Sequence, residues 1–262
     1  MDYQTLKFEQ QEGVAHLELH RPDAANGVNL QLAEELLHAT TRLADDAAVR
    51  AVLITGAGAR FCGGGDVKHF AAEGEGLAHY LREVTVPLHA AMSQLVRLDA
   101  PVVAGAHGSA AGAGFGIVCA ADLVVAAEST KFVLAYTGIG LTPDCSSSWF
   151  LPRLVGVRRA LELTITNRVL SAAEAHEWGI VTEVVPDDEM LGRARAVAEQ
   201  LAAGPTRAYG GTKRLVHGSL EHSFDQHLAL ETEEIVSAAG TSDAAEGLAA
   251  FVDKRAPIFR GE

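Results

Sequence analysis

Six short apolar runs, Val14 to Leu19, Ala51 to Thr55, Pro101 to Ala106, Leu123 to Ala126, Phe132 to Leu134 and Val181 to Val185, alternate with helical patterns through the first two thirds of the chain. Strands separated by helices in this rhythm build an α/β fold. Between two of the runs, Leu77, Tyr80, Leu81, Val84, Leu88, Ala91, Met92 and Leu95 recur at helical spacing, and Pro87 predicts a kink there. Ser171 with Glu174 three residues later, and Gly179 behind, marks a short capped helix. After Pro186 the strand signals stop. Residues 190–256 read as helices only, with caps at Pro205, Ser223 and Asp243 and breaks at Gly240 and Pro257. The pattern divides the chain into a sheet-based core over residues 1–189 and a helical region over 190–262, with no internal repeat. The apolar residues Phe224, Leu228, Ile235, Leu248, Phe251 and Val252 of that region must be buried on the chain's own core or on a neighbouring subunit.

Composition removes several function classes. Over 262 residues the chain is 48% hydrophobic and 21% charged, enough for a large core and unlike a disordered segment. Thirty-four acidic and 21 basic side chains give a net charge of −13, which argues against a nucleic-acid partner. A local basic patch could still hold a phosphorylated small molecule. Cys62, Cys119 and Cys145 form no CxxC pair, so neither a disulfide framework nor a zinc knuckle is expected, and a reduced cytoplasmic setting fits. Residues 1–12 are polar and do not read as a signal peptide. The most apolar segment, Ala100 to Ala127, is interrupted by His107 and Asp122 and does not read as a membrane span.

Three segments could carry chemistry. Arg60 to Lys68 contains Gly63, Gly64 and Gly65 after a buried strand, where a tight backbone turn can bring free N–H groups to a ligand; an ordinary glycine-rich turn reads the same way. Ala106 to Gly116 leaves another strand and enters a helical stretch through small residues. Such a helix start leaves unpaired N–H groups suited to an oxyanion, although close packing on a sheet also demands small residues. Two such loops suggest backbone donors converging on one developing negative charge, as in acyl transfer or enolate chemistry. In the third segment, Gly138 to Trp149, Asp144 follows Pro143. That aspartate reads either as a turn or helix N-cap, or as a carboxylate at the edge of an apolar pocket, usable as a general base or acid.

Competing motifs do not complete. The GxGxxG starts at Gly112 and Gly56 end on Ile117 and Phe61, no GxSxG surrounds Ser109, and no Walker lysine follows either loop. The eleven histidines show no HxxxH or HExxH pair, and His107 reads as a packed strand-end residue. Cys145 reads as a small buried side chain.

Taken in order, these segments resemble the enoyl-CoA hydratase/isomerase superfamily, the crotonases. Arg21-Pro22 with Asn26 and Asn29 is similar to the family's opening loop, and Phe61 to Lys68 and His107 to Gly116 are similar to its two oxyanion segments. Gly138 to Gly156 resembles its catalytic turn and following helix, and Ser171 to Gly179 and Lys254 to Phe259 complete the likeness. The resemblance implies a spiral core of ββα turns, a helical trimerisation region, and trimers that pair into hexamers. It implies an acyl-CoA thioester as substrate, with coenzyme A part of the substrate and no metal or redox cofactor.

Carried over residue by residue, the resemblance assigns the two oxyanion donors to the N–H groups of Gly65 and Ala113, the latter standing where many relatives have glycine. Coenzyme A is expected along Ala24, Asn26 and Val28 and along Gly63, Gly64, Asp66, Val67 and Lys68, with Lys254 and Phe259 supplied by this or an adjacent subunit. Two departures bear on the reaction. Hydratases of the family carry glutamates at the positions of Gly116 and Tyr136, and both are missing here. A glycine moves no proton, and a tyrosine, whose ordinary pKa is about 10, is a poor base at neutral pH. Asp144 stands where isomerases of the superfamily carry one catalytic acid, and the segment from Pro143 to Arg153 resembles the ring-opening isomerases of phenylacetate degradation. The expected activity is acyl-CoA isomerisation, a double-bond shift or an epoxide opening, with Asp144 as acid and base. The alternatives are hydration of a 2-enoyl-CoA and a non-catalytic CoA-binding protein.

Overall fold

A computed structural model describes residues 2–262. The chain runs β1 (Leu6–Gln11), β2 (Val14–Leu19), α1 (Leu30–Asp45), β3 (Ala51–Gly56), α2 (Val67–Ala72), α3 (Leu77–Arg97), β4 (Val102–Ala106), β5 (Ser109–Ala111) and α4 (Ala113–Ala120). It continues through β6 (Leu123–Ala127), β7 (Lys131–Val133), α5 (Ser147–Thr166), β8 (Leu170–Ser171), α6 (Ala172–Glu177) and β9 (Glu183–Val185). The helices α7 (Met190–Ala202), α8 (Thr206–Gly218), α9 (Phe224–Ala239) and α10 (Ser242–Asp253) follow. Six strands form one sheet in the order β1-β2-β3-β4-β6-β9, parallel except for the β1–β2 pair, and β5-β7-β8 form a second. Successive turns of chain add one strand to each sheet and then a helix: β4, β5, α4, then β6, β7, α5. This is the expected ββα spiral. A single bridge Cys62–Ala110 lays the loop after β3 against β5 of the second sheet, and a bridge Val28–Gly65 joins the loop before α1 to that same loop.

The strands of the large sheet are covered on both faces, which is why they read as continuous apolar runs. Val52, Ile54, Ala104 and Val124 face the core shared with α1, α3 and α4, whereas Leu53, Val103 and Val125 face Met190, Ala194 and Ala198 of α7. Thus α7, although past residue 189, is packed as a layer of the sheet domain. Helix α8 is pinned by Lys213, whose buried ammonium pairs with Asp122 at 2.7 Å and donates to the Ala100 carbonyl. Stranding one charge of such a buried pair costs about 3–5 kcal/mol.

Several local expectations need correction. Strand β1 lies in the polar N-terminal stretch; only Leu6 of it is buried, and its pairing with β2 is set by a two-residue turn in which Glu12 and Gly13 both have positive φ. Pro87 lies inside α3, which is one continuous element. The N-cap of α10 is Thr241, not Asp243. Asp243 is instead buried, and its two carboxylate oxygens accept from the N–H groups of Arg260 and Gly261, folding the last residues back onto the start of α10. The large apolar side chains of α9 and α10 are not buried on the chain's own core: Phe224 is 76% exposed, Phe251 85% and Val252 77%.

Candidate active site

The two glycine-bearing segments meet face to face. Segment 61–65 runs beside β5, with Cys62 N–H donating to the Ser109 carbonyl and Ala111 N–H donating to the Cys62 carbonyl. At their ends, Gly64 and Gly112 both have positive φ, and a Cβ on Gly64 would stand 3.1 Å from the Ala111 carbonyl oxygen and 3.4 Å from the Gly112 Cα. A side chain at either position would be strained by the positive φ and crowded against the facing backbone. Immediately beyond the contact come Gly65 and Ala113, whose N–H groups donate to no backbone carbonyl among the described residues. Ala113 is the first residue of α4, so its N–H is one of those a helix cannot use itself.

Both residues line one cavity of about 200 Å³. Its walls are apolar: Leu81, Val84 and Leu88 from α3, Leu134 after β7, and Ile139 and Leu141 from the turn before α5. Asp144 lies at its edge. Ser147 donates through both N–H (3.1 Å) and hydroxyl (2.7 Å) to the Asp144 main-chain carbonyl, and the N-cap position of α5 is Ser146. The Asp144 carboxylate therefore caps no helix, and of its two readings the pocket-edge one describes its position.

One Asp144 oxygen, Oδ1, accepts a short hydrogen bond from the Tyr136 hydroxyl. Burial, reinforced by the negative charge of Asp144, holds the Tyr136 phenol far above its ordinary range. Tyr136 is thus a neutral donor and not a base at neutral pH. The other oxygen, Oδ2, stands 4.0 Å from Nε2 of His89 on α3. That nitrogen accepts from the Cys145 N–H at 3.3 Å. His89 was invisible to the sequence reading, because it is 56 residues from Cys145 and belongs to no spaced pair.

The Gly116 position is closed as well as empty of a carboxylate. A Cβ there would fall inside the van der Waals shell of the Cys145 carbonyl oxygen, which the positive φ of Cys145 and Ser146 turns inward. Gly116→Glu, alone or with Tyr136→Glu, is therefore expected to lower stability by about 1–3 kcal/mol or more through overpacking. It is not expected to install hydration, as thermal melts and a 2-enoyl-CoA hydration assay would show.

The loop expected to receive coenzyme A is tied to the oxyanion segment by Gly63 N–H to the Ala25 carbonyl, Val28 N–H to the Gly64 carbonyl and Asp66 N–H to the Val28 carbonyl. Within it Asn26 has a different role from the expected one. It is fully buried; its amide donates to the carbonyls of Ala57, Arg60 and Phe61, and its Oδ1 accepts from Arg21 N–H. With those groups engaged, Asn26 braces the loop and presents nothing to a ligand. Burial pushes the Asp66 carboxyl up, but the Arg21 guanidinium at 2.9 Å and the His69 N–H outweigh it and hold the group below its ordinary range. Lys68 projects from α2 into solvent. Lys254 ends α10, and Phe259 packs its ring toward Gly247 of α10; neither lines the cavity within one chain.

The buried thiols are held protonated: burial pushes Cys62 up to about 11 and raises Cys119, and burial with the nearby Asp144 charge raises Cys145. Among the described residues no three His, Cys, Asp or Glu side chains cluster to hold a metal ion, and no helix is long and apolar enough to cross a membrane.

Residues 9–262 match the family described as Enoyl-CoA hydratase/isomerase. A Rhodobacter capsulatus protein named "Probable enoyl-CoA hydratase" is 39% identical over 261 residues, covering all of both chains. The 1,2-epoxyphenylacetyl-CoA isomerase of Escherichia coli is 36% identical over 253 residues, 96% of this chain and 97% of the relative. The crystal structure of an enoyl-CoA hydratase from Bacillus anthracis superposes with a TM-score of 0.92 at 33% identity, covering 99% of this chain and all of the other.

Proposed function

The chain belongs to the enoyl-CoA hydratase/isomerase family, and on that footing we propose that it is an acyl-CoA isomerase working through a thioester enolate. The thioester oxygen receives the N–H groups of Gly65 and Ala113. Asp144 removes a proton from the α carbon, and the enolate is reprotonated at the γ carbon or, in an epoxidised substrate, rearranges with opening of the ring. One oxyanion donor is typically worth about 2.7–4 kcal/mol of barrier, so two supply a large share of what α-proton abstraction requires. The observation that carries this reading is the single carboxylate. Among the described residues Asp144 is the only carboxylate side chain lining the cavity, while the Cys145 carbonyl crowds the Gly116 position and Tyr136 is a neutral donor to Asp144. The walls suit a hydrocarbon acyl group, and the likeness to the E. coli isomerase supports a ring substrate.

Coenzyme A would follow the loops at Ala24 and Val28 and at Gly63 to Lys68. That neither Lys254 nor Phe259 lines the cavity within one chain fits their supply by an adjacent subunit. The exposed apolar faces of α9 and α10 support a homotrimer or a hexamer built on residues 190–262, and three buried free thiols fit the cytoplasm.

Incubation with a 3-enoyl-CoA, and separately a 2-enoyl-CoA, in deuterated water tests the reading by NMR and mass spectrometry. A regioisomer carrying deuterium at the α or γ carbon is expected. A mass gain of one water without a regioisomer would overturn it in favour of hydration, the second reading, which the name of the Rhodobacter relative favours.

A further inference from the structure

Leu88 and His89 are consecutive on α3 yet face different spaces. Leu88 lines the acyl cavity, whereas His89 lines a second cleft of about 590 Å³ between α3, α5 and α8. Asp144 and Ser146 divide in the same way, Asp144 toward the acyl cavity and Ser146 toward the cleft. The turn bearing Asp144 is therefore a partition, with His89 on its far side.

The hydrogen bonding at this partition has a direction. Cys145 N–H donates to His89 Nε2, which requires a free lone pair on that nitrogen and places the proton of the neutral ring on Nδ1. Tyr136 occupies Oδ1 of Asp144, leaving Oδ2 to face Nε2 across 4.0 Å. That gap is too long for a hydrogen bond, and one bridging water or a small ring rotation closes it. The His89 side chain is half exposed to the cleft, and imidazole is the side chain best suited to passing protons near neutral pH.

We infer that His89 relays protons between Asp144 and the water of this cleft. The inference rests on the isomerase reading. Asp144 takes the α proton and becomes a carboxylic acid beside the enolate. It can return that same proton to the γ carbon, or pass it to Nε2 of neutral His89, whose lone pair leaves the Cys145 N–H to take it; the imidazolium then yields a proton to water and Nε2 accepts from Cys145 N–H again. Asp144 is then ionised, and the reverse path recharges it with a solvent proton that goes to the γ carbon. The relay sets the origin of the hydrogen in the product and leaves the oxyanion donors untouched.

The test is a single-turnover isomerisation of a 3-enoyl-CoA in deuterated water, reading the fraction of product that carries deuterium. His89→Gln keeps an acceptor for Cys145 N–H but cannot take a proton; His89→Ala leaves room for added imidazole. Wild type is expected to give mainly deuterated product. Both variants are expected to form isomer with deuterium content at least tenfold lower, and imidazole should restore it in His89→Ala. Deuterium content equal to wild type in both variants overturns the relay, as does wild-type product free of deuterium. Wild type that forms no isomer overturns the isomerase reading, and the relay with it.

Discussion

Asp144→Asn is expected to leave the protein folded and able to bind coenzyme A, and to lower the proposed isomerisation by about 10²- to 10⁴-fold, the usual contribution of a positioned general base. The fold is expected to survive because the turn holds Asp144 by its main-chain carbonyl, through Ser147 N–H and hydroxyl, while the carboxylate caps nothing. An asparagine of the same shape keeps an oxygen for the Tyr136 hydroxyl, so the partner is not left buried without an acceptor. What it lacks is a lone pair able to take the α proton. Turnover measured beside calorimetric titration with coenzyme A separates the two effects. A variant that keeps most of its turnover would show that another group abstracts the proton.

Ala113→Pro is expected to lower kcat by about 10²- to 10³-fold by deleting one oxyanion donor. Backbone donors resist ordinary mutagenesis, because every residue except proline supplies an N–H. Here the geometry makes the experiment possible: Ala113 is the first residue of α4, a position that accepts proline, since its N–H has no partner within the helix. The preceding residue, Gly112, is outside the α-helical region that proline disfavours before it. Ala113→Gly is the control; it keeps the N–H and should stay within a few-fold of wild type. A proline variant with wild-type kcat and an unchanged melting temperature would remove Ala113 from the oxyanion assignment.

How much was legible in the sequence follows from where each residue's partners come from. The parallel strands β3, β4 and β6 were readable because burial on both faces writes itself as an apolar run. Strand β1 was not, since it buries Leu6 alone, and β5 was hidden among three small residues that equally suit a loop. In the site, glycine density pointed to the meeting of residues 63–65 with 112–113, and a lone aspartate in a turn pointed to Asp144. The role of Asn26 was misread because its partners are carbonyls at Ala57, Arg60 and Phe61, groups that every residue possesses and no pattern distinguishes. His89 escaped because only the packing of α3 against the Asp144 turn brings it there. Asp243 looked like a cap because a helix begins beside it, yet it serves the chain end that returns to it.

The division of labour around the cavity bears on how such a protein can change. On the proposed reading the reacting groups are the backbone N–H groups of Gly65 and Ala113 and the Asp144 carboxylate, whereas much of the cavity wall comes from Leu81, Val84, Thr85 and Leu88 on α3. A single helix can therefore be diversified by mutation while the proposed enolate machinery stays constant. Libraries confined to these four codons would sample new acyl groups without crossing the inactive intermediates that changes at Gly64 or Gly112 would impose. Substrate range in this architecture is free to drift faster than chemistry.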